Sequence, residues 1–212
     1  MPSIWRKLGR GVLLGALAGL GGLGTACGVG PDVVSVQSVR LPDGGVGGRL
    51  GMQPSMVAYR TDGDVQAEFL ATDLPIEALD PSVSFDGLSG QILRVRMFTV
   101  PVAGKTPLSN AAANTVIQHA VINDGVLAVY GGSGLLRPRG RPGDDTLACV
   151  LRGGTLRLTR ASGALEDPVG TARVDITLTG RLDAPLAGII AARLDQVIER
   201  APVVERVGER GG

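Results

Sequence analysis

The stretch Thr171–Leu182, TARVDITLTGRL, decides the fold class, because apolar and polar side chains alternate along it without exception. The apolar positions are Ala172, Val174, Ile176, Leu178, Gly180 and Leu182. Successive side chains of a β-strand point to opposite faces, so a period of two places all six on one face. We therefore predict a strand with one buried face and one face in water.

The same alternation, with a period of two, predicts most of the other elements on either side of this stretch. Strands are predicted at Asp32–Arg40, Met56–Thr61, Val65–Thr72, Gln91–Val102, Thr115–Ile122, Val126–Tyr130, Thr146–Arg152 and Thr155–Arg160. Hairpins are expected across Asp62-Gly63 as a type I′ turn, across Asn123-Asp124-Gly125, and across Gly153-Gly154. The glycine-rich segment Pro42–Gly51 is predicted to be a loop or a loose edge, and Leu74–Leu79 a single helical turn.

The segment Pro185–Arg200 carries apolar residues at helical spacing, with its proline suited to a first turn. Gly188–Ala192 also fits a short edge strand, so a helix is expected at least from Asp195 onward. Together these elements predict an all-β fold, an antiparallel β-sandwich or partly open barrel of about eight strands. A short C-terminal helix is expected to close one edge of it.

The N-terminus has the three parts of an export signal. Met1–Arg10 carries three basic residues and no acidic one, and the thirteen residues Gly11–Leu23 are uncharged. Thirteen residues suffice for the apolar region of a signal peptide but not for a membrane-spanning helix, which needs about 20. Gly24-Thr25-Ala26 then supplies the small side chains that a signal peptidase requires.

The run Leu23–Cys27, LGTAC, resembles the lipobox of bacterial lipoproteins. Thr25 and Ala26 match that pattern, whereas Gly24 stands where the family prefers leucine. The resemblance implies that Cys27 receives a diacylglycerol on its sulfur and becomes the mature N-terminus. Ordinary cleavage after Ala26 without lipid is the alternative. The predicted organisation is a signal peptide at 1–26, a tether at 27–31, a β domain at 32–200 and a frayed tail at 201–212.

Cleavage before Cys27 leaves 186 residues, enough for one domain with a sizeable core. That mature chain has 18 basic and 20 acidic residues, which argues against a nucleic-acid or anionic-lipid binder held by bulk charge. Trp5, the one tryptophan, is lost with the signal, so few aromatic faces remain for stacking on sugars or bases.

The remaining cysteine and the single histidine are both predicted to be structural. Alternation in Thr146–Arg152 places Cys149 on an apolar face, which is typical of a buried thiol. Without lipidation, a disulfide between Cys27 and Cys149 becomes possible in an oxidising periplasm. His119 lies between apolar strand residues and has no second ligand at a recognisable spacing.

The segment Arg137–Pro142, RPRGRP, is similar to the AT-hook core of chromosomal high-mobility-group proteins. That resemblance implies binding in the minor groove of A·T-rich DNA. Export from the cytoplasm and the acidic flank Asp144-Asp145 oppose it, so we predict a solvated loop and no nucleic-acid partner.

Other candidate motifs are given structural interpretations. Asp144-Asp145 lacks the alternating ligand spacing of a calcium loop. Gly131–Gly134 lacks the second glycine of a nucleophile elbow after Ser133, and we predict a flexible strand-exit loop. Arg94 and Arg96, like Arg173 and Arg181, are expected on the outer faces of strands.

The sequence therefore predicts no catalytic residues, no metal ligands and no cofactor. Our leading hypothesis is an exported, lipid-anchored protein of the bacterial envelope, facing the periplasm or the cell surface. It would be attached to a membrane through Cys27 and serve a non-enzymatic structural or binding role, with another envelope protein as a possible partner. The alternatives are a barrel that binds a small apolar ligand, and an exported hydrolase using two carboxylates or a serine beside His119.

Overall fold

The computed structural model describes residues 31–38, 48–101, 113–162, 167 and 169–204. These residues form ten β-strands and one α-helix, which confirms the predicted all-β fold with a C-terminal helix. The elements are β1 Val33–Ser38, β2 Arg49–Met52, β3 Met56–Asp62, β4 Gln66–Thr72, β5 Ser89–Met97, β6 Thr115–Asn123, β7 Val126–Gly134, β8 Leu136–Arg139, β9 Thr146–Ala161, β10 Ala172–Leu182 and α1 Ala184–Arg200.

The strands form one mixed sheet that curls into a ring-like partial barrel. Going round the ring, the order is β3, β4, β5, β6, β7, β9 and β10, and then β3 again. The last contact is parallel and short: Arg181 and Leu182 of β10 pair with Ala58 and Tyr59 of β3. The remaining pairings are antiparallel, and β1, β2 and β8 extend the sheet beside β10 and β9.

The predicted hairpin at Gly153-Gly154 is wrong, because β9 runs through both glycines as one strand of 16 residues. Gly154 pairs with Val174 and Leu151 pairs with Ile176, so two residues of β9 lie opposite Asp175 alone. This is a β-bulge, and Gly153 takes the positive φ of 65° that such a bulge favours in glycine. The bend lets β9 pair with β8 before the bulge and with β7 after it.

The other two predicted hairpins are both present, but the turn at Asp62-Gly63 is not of the predicted type. Asp124 and Gly125 both have positive φ and join β6 to β7 in a two-residue turn. Between β3 and β4, Asp62 pairs with Gln66, so the loop is three residues long. Only Gly63 has positive φ there, and the expected type I′ turn at Asp62-Gly63 is therefore wrong.

Several predicted boundaries move once the strands are paired. Arg49–Met52, predicted within a loop or loose edge, forms β2 against β1, while residues 39–47 lie outside the described part of the chain. Gly131–Gly134 belongs to β7, since backbone hydrogen bonding to β6 and β9 continues through it. A Cβ atom at Gly132 would lie 1.7 Å from the Thr155 carbonyl oxygen, so this close approach requires glycine.

The interior of the barrel is filled by side chains from the inward faces of its strands. Tyr59 and Phe69 stack there with ring centroids 5.6 Å apart, and Gly180 leaves room for both rings. The Tyr59 hydroxyl donates a hydrogen bond to the Asp144 carbonyl at one end of the barrel. The other large interior side chains are Met52, Leu93, Val95, Met97, Ile117, Tyr130, Leu136, Leu147, Leu151, Val174, Ile176 and Leu178.

A second apolar layer lies outside the barrel, where α1 covers the outer face of β3 to β7. The helix spans the whole ambiguous segment, and the Asp183 side chain caps it by accepting from the Leu186 amide. Ile190, Leu194 and Val197 are fully buried in this layer, each contributing about 1.5–3 kcal/mol by leaving water. The helix therefore covers a face of the sheet, whereas the prediction had it close an edge.

Both described ends of the β domain pack against its strands. At the first end, the Asp32 side chain accepts a hydrogen bond from the Thr179 amide of β10. Ala201–Val204 follow α1 and hydrogen-bond to β9 through Pro202 and Val204, so this part of the predicted tail packs against the barrel. The predicted signal peptide and Cys27 lie outside the described residues.

Candidate functional site

His119, the single histidine, lies in the barrel interior and is completely buried. Its Nε2 is 2.9 Å from the Gln91 side-chain oxygen, while the Gln91 side-chain nitrogen donates to the Gly51 carbonyl at 2.9 Å. That arrangement places the imidazole proton on Nε2, because Gln91 presents an acceptor to it. Burial lowers the pKa of His119 to about 4, so the ring is neutral at pH 7.

Gln91 and Asp73 form a polar network at one end of the barrel that the sequence did not predict. The Asp73 carboxylate accepts from the Gln91 backbone amide at 2.5 Å, and burial raises the pKa of Asp73. Both residues line a cleft of about 540 Å³ beneath β2. Because these groups bond to one another and to Gly51, the network ties β2 to the end of the barrel.

Among the described residues, the His119 ring therefore hydrogen-bonds to a glutamine. A Ser–His hydrolase requires a serine hydroxyl at that position. Its Nδ1 is buried and makes no hydrogen bond within the described part of the chain. The nearest aromatic neighbour is Tyr130, with ring centroids 6.5 Å apart. Burial, reinforced by the nearby Asp167, raises the pKa of Tyr130, so this phenol stays protonated.

Cys149 is fully buried between Leu147 and Leu151 on the inward face of β9, as predicted. Burial raises the pKa of its thiol well above the ordinary value, which keeps it in the unreactive protonated form. Ser133 lies within β7 and pairs with Val116 of β6, so it does not stand on a sharp turn as a nucleophile would.

Arg94 differs from its prediction, because its outward face is covered by α1. It donates hydrogen bonds to Asp195 at 2.9 Å and to the Ala191 carbonyl at 3.3 Å, both on the helix. It also lies 3.1 Å from Glu68 of β4, close enough for an ion pair but without hydrogen-bond alignment. Arg96, two residues along β5, is exposed as predicted.

The part of the outer surface that the helix leaves uncovered, formed by β8, β9, β10, β1 and β2, carries a set of exposed arginines, which we call the arginine face. Its members are Arg49, Arg137, Arg139, Arg152, Arg173 and Arg181. Strand register places them on one surface: Arg49 and Arg173 both pair with Gln37, and Arg137 lies opposite Val150, which lies opposite Thr177. Arg152 reaches Thr177 on the same surface at 3.5 Å.

Two of these residues come from the segment that resembles an AT-hook. The structure places Arg137 and Arg139 in β8 rather than in the predicted loop, and only Gly140–Asp145 turns back toward β9. Asp144 accepts a hydrogen bond from the Arg141 amide and so holds this turn. Within the described ranges, no group of three or more His, Cys, Asp or Glu side chains is arranged to hold a metal ion.

The chain matches no protein-family model, and comparisons with curated proteins and with solved structures give no match either. Among the helices of the described part, none is long and apolar enough to cross a membrane. The features that bear on function therefore lie in the chain itself: the predicted lipid-bearing Cys27, the buried His119 and Cys149 of the barrel, and the arginine face.

Proposed function

We propose that this chain is an exported, lipid-anchored protein of the bacterial cell envelope, with a β domain that acts by binding or as a structural element. The observation that carries the proposal is the basic, apolar and small-residue order of residues 1–26 followed by Cys27. Removal of the signal would leave a short tether before β1, which begins at Val33.

The buried chemistry of the domain supports a non-enzymatic role. His119 and Cys149 are the residue types most often used as base and nucleophile, and both are fully buried in the barrel interior. Burial lowers the pKa of the histidine to about 4 and raises that of the thiol, so each is held in its uncharged form. Neither group is open to a substrate in solution.

The packing also bears on the alternative of a ligand-binding barrel. Such a barrel needs space between the inward faces of its strands, but here Tyr59, Phe69 and Tyr130 help fill that space. A small ligand would therefore have to bind on the outside. The binding role that we propose is accordingly one for the outer surface.

Metabolic labelling with a fatty acid tests the anchor. We expect label in the wild type and in a Cys149→Ala variant, and none in a Cys27→Ser variant. Cys149→Ala is the matched control, because it removes the other cysteine without touching the signal. An unlabelled wild-type protein, or label that survives Cys27→Ser, would contradict the proposal.

A further inference from the structure

We propose that the arginine face lies against an anionic lipid surface, so that the domain is held flat on the membrane to which Cys27 tethers it. This inference rests on the proposed lipidation of Cys27. Its partner is a bilayer rich in phosphatidylglycerol or a comparable anionic phospholipid.

The six arginines of this face have no salt-bridge partner among the described residues. None of them lies within 4.0 Å of a carboxylate oxygen in the described part of the chain, whereas Arg60 and Arg94 elsewhere are paired. Asp175 is the carboxylate on the same strand surface, and one of its oxygens already accepts from the Gly153 amide. The other nearby carboxylates are Asp32, which accepts from the Thr179 amide of β10, and Asp144 and Asp145, in the turn between β8 and β9.

Pro31, which follows the predicted anchor Cys27 by four residues, lies beside this face. Pro31 and Val33 line a shallow cleft on the outer surface together with Arg139, Arg152 and Asp175. Four residue steps separate Cys27 from Pro31, and fully extended they span at most about 14 Å. A lipid on Cys27 therefore holds the part of the arginine face beside Pro31 within one to two Debye lengths of the headgroups at physiological salt.

The opposite side of the molecule has the opposite charge balance. The described residues 56–101, 113–134 and 183–200, which include β3 to β7 and α1, contain eleven Asp or Glu and five Arg. An anionic surface would repel that side and attract the arginine face, so the charge distribution selects one orientation. The near-neutral net charge of the mature chain does not show this asymmetry, because the opposite charges of the two sides cancel in the total.

Electrostatic docking of this kind is strong enough to measure. A basic residue at an anionic bilayer surface changes the ratio of docked to undocked protein by about fivefold. Neutralising two arginines should therefore lower that ratio by about 25-fold. Raising the salt concentration should also lower the ratio of docked to undocked protein, because salt screens exposed charges.

Energy transfer from tryptophan to a dansyl-labelled lipid headgroup tests the orientation. The processed chain lacks tryptophan once Trp5 is removed, so a single reporter can be introduced. We place one on the arginine face with Gln37→Trp and one on α1 with Ile189→Trp, both at exposed positions. The lipidated protein is reconstituted in phosphatidylcholine vesicles with and without phosphatidylglycerol.

We expect stronger transfer from Gln37→Trp than from Ile189→Trp when phosphatidylglycerol is present, and a smaller difference at high salt or in phosphatidylcholine alone. Adding Arg137→Gln and Arg173→Gln should reduce the difference in transfer between the two reporters. The control pair Arg96→Gln and Arg200→Gln, on the helix-covered side, should leave that difference unchanged. Equal transfer from both reporters, in protein that carries the fatty-acid label on Cys27, would overturn the inference and leave the proposed function intact. Absence of fatty-acid label on Cys27 would overturn the proposed function, and the inference with it.

Discussion

Replacing Arg94 by methionine is expected to destabilise the domain by about 2–3 kcal/mol. The arginine donates hydrogen bonds to Gln118, Asp195 and Ala191, and its charge lies 3.1 Å from Glu68. Removing one member of a buried ion pair costs about 3–5 kcal/mol. The lower figure applies here, because the side chains of Arg94 and Glu68 keep 14% and 15% exposure and Glu68 retains Arg60 as a partner.

Urea unfolding followed by far-UV circular dichroism measures this loss. With a slope of about 2 kcal/mol per molar urea, the midpoint should fall by about 1–1.5 M. Arg96→Met is the matched control, because Arg96 is on the same strand and face but lies outside the helix footprint. We expect it to change stability by less than about 0.5 kcal/mol.

A double-mutant cycle with Glu68→Gln separates the ion pair from the contacts to α1. Residues in direct contact typically show a coupling energy of about 0.5–3 kcal/mol. A urea midpoint for Arg94→Met equal to that of Arg96→Met would contradict the expected loss of stability. It would mean that Arg94 behaves as the solvated outer-face residue that the strand pattern alone predicts.

Three further predictions follow from buried or closely packed positions. Gly132→Ala should prevent or strongly destabilise folding, because its Cβ would lie 1.7 Å from the Thr155 carbonyl oxygen. Gly51→Ala is the control and should be tolerated, because no atom lies within 4 Å of the added Cβ. Equal thermal midpoints for the two variants would contradict this. The Cys149 thiol should react with a disulfide reagent only after unfolding, and rapid labelling of the native protein would show that it is not buried. His119 should be neutral in the folded state down to a pKa of about 4, so the unfolded state alone takes up its proton as the pH falls below 6.5. Between pH 6.5 and 4 stability should therefore fall with acidification by up to about 1.4 kcal/mol per pH unit, and a His119→Asn variant should lack this part of the slope; a native imidazole NMR signal that titrates near pH 6.5 would disprove it.

The alternation of side chains determined much of this fold before any tertiary contact was known. In Ala172–Gly180 it identified the buried face correctly, because each inward side chain of a strand must leave water with its neighbours. Leu182, predicted on the same face, is 38% exposed at the end of the strand. The same reasoning placed Cys149 in the core, and helical spacing identified α1. These features depend on local geometry and burial, both of which are written in the order of the residues.

Features that depend on which strands meet could not be predicted from the local pattern of residues. Gly153-Gly154 carries the residues of a turn, yet β10 pairs with β9 on both sides of it and makes it a bulge. Arg94 and Arg96 have the same local pattern, and only the position of α1 buries the first and leaves the second in water. Gln91 reaches His119 across 28 positions of sequence through the register of β5 and β6.

The charge of the molecule shows the same division. The order of residues predicts the export signal and the lipid site at Cys27, and the composition shows a near-neutral total charge. The sequence could not place Arg49, Arg137 and Arg173 on one surface, because they come from three strands that are far apart in the chain. Strand pairing brought them together, since a sheet aligns the side chains of neighbouring strands regardless of their separation in sequence.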